Sequence, residues 1–429
     1  MCVSKLSNRQ RGLSRLFAIG MGVLAGVSEN GFATPSASSL LAPIYPQVGL
    51  ADVSSLDVYR EGELIHLLVA GPRHDQGSPV LLYLRSGDGG RTWSQQAEVA
   101  TGSTAPTVSK RGSDAQIAAQ GNKLVAVWQT TGEFPGMGPM AAASSLDGGK
   151  TWEKGSNPAD DGSLADHGYL DIAADSRGRF HIVWLDDREE QGSYQGLRYA
   201  RSDDSGRTWS RNQTLDEAAC TCCWTRLEVG ADDRLHVLYR DANPQDMALF
   251  QSTDGGETWR RAGPVGAFRW MFLGCPHSGG GLCVVDGEGR VTLHSVVWTG
   301  KQGSAGLHHL RSKDYGKTWS APKRLSQAAG ARGDVAAHDF QHLAAVWDRS
   351  DEKGSAVLFT HSSDGGQTWA GSAPVSAPGT LATHPRIVPS LTGYAVLWTE
   401  KHDGGRRLAV AAIKTKKTCR NDDEHGSNE

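Results

Sequence analysis

Seven times along the chain, a run of apolar and β-branched residues gives way to turn residues and then to a second such run. The first members are LIHLLVA (64–70), LVAVWQT (124–130), FHIVWLD (180–186), LHVLYRD (235–241), VTLHSVVWT (291–299), HLAAVWD (342–348) and YAVLWTE (394–400). The second members include PVLLYLRS (79–86), LRYARS (197–202) and VLFTHS (357–362). Runs of this length, rich in Val, Ile, Trp and Tyr and bounded by Gly, Asp or Ser, predict paired β-strands. No sustained 3.6-residue period competes with them in the body of the chain, so the pattern predicts an all-β protein.

Six of the second runs lead into one eight-residue box, S-x-D-x-G-x-T-W, beginning at Ser86, Ser145, Ser202, Ser252, Ser312 and Ser362. The box aspartates are Asp88, Asp147, Asp204, Asp254, Asp314 and Asp364, spaced 50 to 60 residues apart. A recurring period of that size marks a repeat architecture, so the 429 residues read as one array rather than several domains. The residue types describe a turn. A short Asp side chain accepts bonds from the amides of its own turn, Gly supplies the positive φ, and Trp plugs the neighbouring layer. The six aspartates are therefore read as structural, since six equivalent catalytic acids on one chain have no chemical use.

With these boxes the chain resembles the sialidase-like, or BNR/Asp-box, β-propeller families, over nearly all of the sequence after residue 45. The resemblance implies four-stranded antiparallel blades around an axis, with each box at the turn between strands 3 and 4. Counting strand pairs predicts seven blades; six is the alternative, because sialidases have six. YLDIAAD (169–175) and GLCVVDG (281–287) are expected as first strands. The seventh pair has no box and no clear fourth strand. The segment PIYPQVGL (43–50) is therefore expected to close the last blade.

The ends add a compartment. Lys5, Arg9, Arg11 and Arg15 precede the apolar run LFAIGMGVLAGV (16–27), and Gly31 and Ala33 suit a cleavage site. Residues 1–33 are read as a signal peptide, 45–414 as the propeller and 415–429 as a disordered polar tail. The protein is expected to be periplasmic or secreted, where disulfides form, with no membrane span after cleavage. A net charge of −3 offers no global field for nucleic acid or anionic membrane.

In an antiparallel meander, the turns between strands 1 and 2 share an end with the boxes. The 2–3 loops and the crossovers between blades share the other end. That second end is chemically rich. Its crossovers contain Asp166–His167, ACTCCW (219–224), GCPH (274–277), Arg332 and THPR (383–386). ACTCCW leads into the first strand of the fourth blade and GCPH into that of the fifth, so neighbouring blades bring the two segments together. Of the 13 Trp, six are in boxes and five in second strands; the remaining two are Trp224, beside Cys223, and Trp270, five residues before Cys275. Cys220, Cys222, Cys223 and Cys275 are expected to form one cluster with His277 nearby. Thiolates and imidazole suit copper or zinc. An exported protein equally allows disulfides, one of them between the two segments, and a catalytic thiol is the third reading. Cys283 lies in an apolar run and is expected as a buried small hydrophobe; Cys419 falls in the tail. The pairing of a C-x-C-C segment with a later G-C-P segment resembles a group of exported bacterial Asp-box proteins, which implies that the two segments belong together.

The sialidase resemblance also implies an arginine triad for a substrate carboxylate, a Tyr–Glu nucleophile pair and an Asp acid/base. Arg188, Arg240, Arg349 and Arg386 lie at the crossover end and are the candidates here. The family's arginine motif stands in the first blade, whereas this chain carries PRIVP around Arg386 in the last. An ordinary ion pair with a neighbouring Asp is the simpler reading of each. The expected function is a binding or accessory protein of the cell envelope that handles copper or zinc through the Cys/His cluster, with a protein or glycan partner. The alternative is a glycoside hydrolase of exo-sialidase type.

Overall fold

The computed structural model describes residues 42–415, apart from 75–76, 95–96, 108–110, 133–135, 189, 191–193, 288 and 353. The expected signal peptide, Cys419 and the tail after residue 415 lie outside the described residues. The strands form seven antiparallel sheets, six of four strands and one of three, each in simple meander order. The protein is a seven-bladed β-propeller. The inner strands are Ser55–Glu61, Gln116–Gln120, His167–Ala174, Arg226–Val229, Gly280–Gly287, Gly330–Ala337 and Thr383–Ser390, from blade 1 to blade 7.

The three-stranded sheet is blade 7. Ile44 pairs antiparallel with Val410 on its outermost strand, through two amide–carbonyl bonds of 2.8 and 2.9 Å. Asp52 then takes a bidentate bond from Arg406, at 2.9 and 2.6 Å, and Val53 N–H donates to the Arg406 carbonyl. The segment ahead of blade 1 thus covers the edge that blade 7 would otherwise expose, as expected for 43–50, with the pairing itself confined to Ile44.

The core is divided among the blade interfaces, with one apolar cluster between each neighbouring pair of blades, including blades 7 and 1. Second strands alternate their faces between the two flanking clusters, which is why they read as continuous apolar runs. Trp128, Trp184, Trp347 and Trp398 sit on these strands and are fully buried. Truncating any one to Ala would cost about 3–5 kcal/mol.

Each box closes the 3–4 turn in the same way. In the first, Ser86 Oγ donates to Asp88 Oδ1 at 2.8 Å and accepts from Gly90 N at 2.9 Å. Thr92 donates its amide to Oδ1 and its hydroxyl to Oδ2 of Asp88, at 2.9 and 2.6 Å. The box glycine has a second reason to be glycine. At Gly256, φ is +88°, and a Cβ would lie 1.7 Å from the Tyr199 hydroxyl of the preceding blade. The turn and the blade spacing both require the missing side chain.

Around the axis, single aspartates on inner strands bind the next blade. Asp57 accepts from Ile117 N at 3.0 Å, Asp171 from Leu227 N at 2.7 Å, and Asp334 from Ile387 N at 3.1 Å. These bonds join blades 1–2, 3–4 and 6–7 at the centre, where among the described residues no strand pairing connects the sheets.

Candidate functional site: the cysteine crossovers

The two cysteine segments are brought together by backbone pairing. At the end of the outer strand of blade 3, Gln213–Ala219, Ala219 pairs with Gln195 of its own sheet and also bridges Asp241 at the end of blade 4's second strand. Cys220 N–H donates to the Arg240 carbonyl at 2.9 Å. The chain turns at Thr221–Cys222, and Thr225 Oγ1 ties its far end to the Tyr169 carbonyl at 2.9 Å. The second segment descends from blade 4 towards blade 5. Asp246 accepts from the amides of Arg269 and Trp270, at 2.6 and 3.1 Å, and Gln245 Nε2 donates to the Gly274 carbonyl at 3.1 Å.

Arg240 braces both segments. Its guanidinium is buried and donates to three carbonyls: Ser278 at 2.8 Å, Gln245 at 2.6 Å and Trp298 at 2.9 Å. It also stacks 5.6 Å from the centre of the Trp270 ring. The neighbouring Asp241 does not pair with it and takes Arg261 instead. Trp224 covers the axial side, so close over Gly279 that a Cβ there would lie 2.4 Å from the indole; its ring meets His384 at 6.1 Å.

Within this frame, Cys222 and Cys275 form a disulfide between the two crossovers, with Cα atoms 6.1 Å apart. Cys220 and Cys223 are free and buried, their sulfurs 2.8 Å apart; Cys220 Sγ lies 3.9 Å from Cys222 Sγ. Tyr169 packs against the three cysteines of the first segment. The donor atoms fall into two overlapping sets, Cys220–Cys222–Cys223 and Cys222–Cys275–His277, each with all its atoms within 4.8 Å of one another. The first set is buried, and the second faces solvent through Cys275 and His277. The Cys223 thiol, donating to Cys220, pulls Cys220 down to about 7, and the nearby Arg240 charge acts in the same direction. Burial and that same bond push Cys223 well up. The Cys223 thiol thus favours the thiolate form of Cys220 over that of Cys223.

The four candidate arginines do not converge. Arg188 is held at the rim of blade 3 by Asp186 and Asp160, at 2.7 and 2.8 Å. Arg349 pairs with Asp351 at 3.3 Å on the surface. Arg240 serves the cysteine crossovers. Arg386 alone reaches the axis, where it bonds Asp57 at 2.9 Å and approaches Asp334 at 3.6 Å. The arginines around it are Arg226, 3.4 Å from Asp334 and 3.7 Å from Asp171, with Arg111 and Arg332 nearer the mouth. Arg111 is engaged by Asp114 at 2.8 Å, and Arg332 by Asp348 at 3.1 Å.

Below this ring an axial cavity of about 280 Å³ is lined by Tyr59, Glu228 and Cys283 together with the charged ring. Cys283 was expected as a buried small hydrophobe; it is partly buried and lines this cavity. Burial pushes Glu228 up to about 8 and Asp171 up to about 6. These axial residues were readable in principle: LDV, LDI, RLE, GDV and PRI set charged residues directly beside apolar ones within predicted strands. What identified no site was that the charges come from different blades.

No family model matches the chain, and no curated protein does. Solved structures align over most of its length. A protein of unknown function from Dyadobacter fermentans aligns at 13% identity over 87% of this chain and 98% of its own, with a TM-score of 0.47. An ulvan lyase, solved with a sulfated glucuronate–rhamnose unit, aligns at 12% identity over 88% of this chain and 95% of its own, with a TM-score of 0.54. The sialidase of Trypanosoma rangeli aligns at 14% identity over 90% of this chain and 60% of its own, with a TM-score of 0.48. The likeness is one of fold. At these identities it shows the propeller fold and transfers no residue roles.

Proposed function

We propose that this protein is a binding module of the cell envelope that holds a soft metal ion, copper(I) ahead of zinc, between its two cysteine crossovers. The observation that carries the reading is the convergence of Cys220, Cys222, Cys223, Cys275 and His277 from two separate segments. Soft thiolates select copper(I) and zinc over harder cations. The donors group in threes, which suits low-coordinate copper(I) better than zinc, whose structural sites take four tetrahedral ligands. The buried Arg240, donating to three carbonyls, makes a rigid floor for the site. The full donor set belongs to the reduced protein, because the Cys222–Cys275 disulfide occupies two of the sulfurs.

The test is a competition titration of fully reduced, anaerobic protein with copper(I) and a chromophoric chelator. One tightly held ion per chain is expected, with affinity in Cys222→Ser falling by more than the ~10–100-fold typical of losing an outer-shell partner, since a ligand itself is removed. Failure of the reduced wild-type protein to retain copper or zinc against the chelator would overturn the proposal.

A glycoside hydrolase of exo-sialidase type is the second reading, and one observation favours it. Tyr59 and Glu228 line the same cavity as Arg226 and Arg386. The electrostatics count against it. Burial pushes the Tyr59 phenol up, the reverse of an activated nucleophile, and both arginines are already neutralised by aspartates. Turnover of a generic sialoside would reverse the order of the two readings.

A further inference from the structure

We propose that the four cysteines form an intramolecular thiol–disulfide relay, in which the buried Cys220–Cys223 dithiol and the Cys222–Cys275 disulfide exchange places. The geometry supplies a contiguous path. Cys220 Sγ lies 3.9 Å from the disulfide sulfur of Cys222 and 2.8 Å from Cys223 Sγ, and all three are buried, while Cys275 faces solvent. Exchange proceeds by thiolate attack on one sulfur of a disulfide, through a mixed intermediate.

Here Cys220 attacks Cys222, forming Cys220–Cys222 and releasing Cys275, which takes up the proton Cys220 gave up. Cys223 then attacks Cys220, forming Cys220–Cys223 and releasing Cys222, which takes the proton from Cys223. Two thiols and one disulfide enter, and two thiols and one disulfide leave, so no external oxidant or reductant is required.

The two isomers differ in what they present. With Cys222–Cys275 bonded, the crossovers are stapled together and the dithiol is sealed inside. With Cys220–Cys223 bonded, Cys222, Cys275 and His277 become a reduced three-donor group, with Cys275 and His277 facing solvent. The crossover carrying Cys275 keeps its place through Gln245 and Arg240, which bond its backbone independently of the disulfide. The exchange itself needs no metal. Its consequence, that an arriving soft ion draws the disulfide inward, rests on the proposed function.

The experiment uses metal-free full-length protein prepared without reductant, with chelators present throughout. Native alkylation over time is followed by denaturation, a second isotopic label and mass mapping of the cysteine peptides. The expected result is progressive first labelling of Cys275, accompanied by growth of the Cys220–Cys223 disulfide. In Cys220→Ser the labelling of Cys275 should slow by about tenfold or more, since the attacking thiolate is gone. In Cys223→Ser, Cys275 should label while Cys222 stays bonded to Cys220. Retention of Cys222–Cys275 through native labelling, with Cys220 and Cys223 labelled only after denaturation, would overturn the relay. Finding both pairs oxidised at once would overturn it as well. A failed relay leaves the metal titration of the reduced protein unaffected, so the two proposals fail separately.

Discussion

Glu228→Gln should stabilise the protein, and by an amount that grows with pH. Glu228 stands on the inner strand of blade 4 and lines the axial cavity. Burial raises its carboxyl to about 8; Arg226 opposes the shift, while Asp171 and Asp334 reinforce it. In the unfolded chain the group titrates near 4.5, its ordinary value. Below that value both states are protonated and the side chain costs nothing. Between about 4.5 and 8 the unfolded state ionises while the folded state cannot, so stability is lost with rising pH and the loss levels off above about 8. A separation of that size, at about 1.4 kcal/mol per pH unit, sets a ceiling of about 5 kcal/mol. Water in the cavity lowers this, and a working figure is about 2–4 kcal/mol. Glutamine has nearly the same shape and no charge, so it removes the penalty without opening a void. Urea unfolding of both proteins at about pH 4, pH 6 and pH 9 reads the difference directly. The two midpoints should coincide at the acid end and separate progressively towards alkali. A difference independent of pH, or a variant less stable at about pH 9, would refute the assignment of Glu228 as an acid held neutral at the axis.

Two further outcomes concern the scaffold. Gly256→Ala combines a positive φ with a Cβ placed 1.7 Å from the Tyr199 hydroxyl, whereas Gly62→Ala has a positive φ and nothing within 4 Å. The first should cost about 2–5 kcal/mol and the second about 1–2 kcal/mol in denaturant melts; equal losses would show that blade spacing does not constrain the box. The box acids should produce an acid-side signature. The Thr318 hydroxyl and amide hold Asp314 down to about 2, below its ordinary 3.8. Its contribution is therefore complete above about pH 4 and disappears as pH falls through about 2. The stability deficit of Asp314→Asn should be present at neutral pH and fade over that interval. A deficit unchanged across it would mean that the carboxylate charge plays no part in the turn.

The repeat explains how much of the fold could be read in advance. Each box carries its own turn within eight residues, so SGDGGRTW specifies its hydrogen bonds without help from the rest of the chain. Strand pairs such as YAVLWTE with RRLAVAA are local hairpins, and seven of them imply seven blades. The missing fourth strand of the last blade was also visible, and with it the need for the segment around Ile44. Crossover order then placed ACTCCW beside GCPH, because adjacent blades put adjacent crossovers together. The cysteines are a case where topology, a property of sequence order, was sufficient to predict proximity.

The arginines are the opposite case. Arg188, Arg240, Arg349 and Arg386 share one end of the propeller, yet each is committed to different partners. Sequence order assigns a residue to an end of a blade; it does not say how far from the axis the side chain ends or which group it meets. Arg240 shows the cost of that gap. It read as an ion-pair partner of Asp241 or a substrate arginine, and the fold uses it to bind three carbonyls beneath the cysteines. The ring of Asp57, Asp171, Arg226, Asp334 and Arg386 likewise exists only when inner strands of five blades meet.

The chain by itself thus determined what is local or periodic: strands, boxed turns, blade number and the neighbourhood of the two cysteine segments. Tertiary structure alone decided which sulfurs are bonded and which are merely close, which charges neutralise one another, and which acid is driven neutral at the axis. The division has one physical origin. Turn chemistry and β-pairing are set by residues near in sequence, whereas the inter-crossover disulfide and the axial Asp–amide bonds depend on separations of a few ångströms between residues 50 or more positions apart.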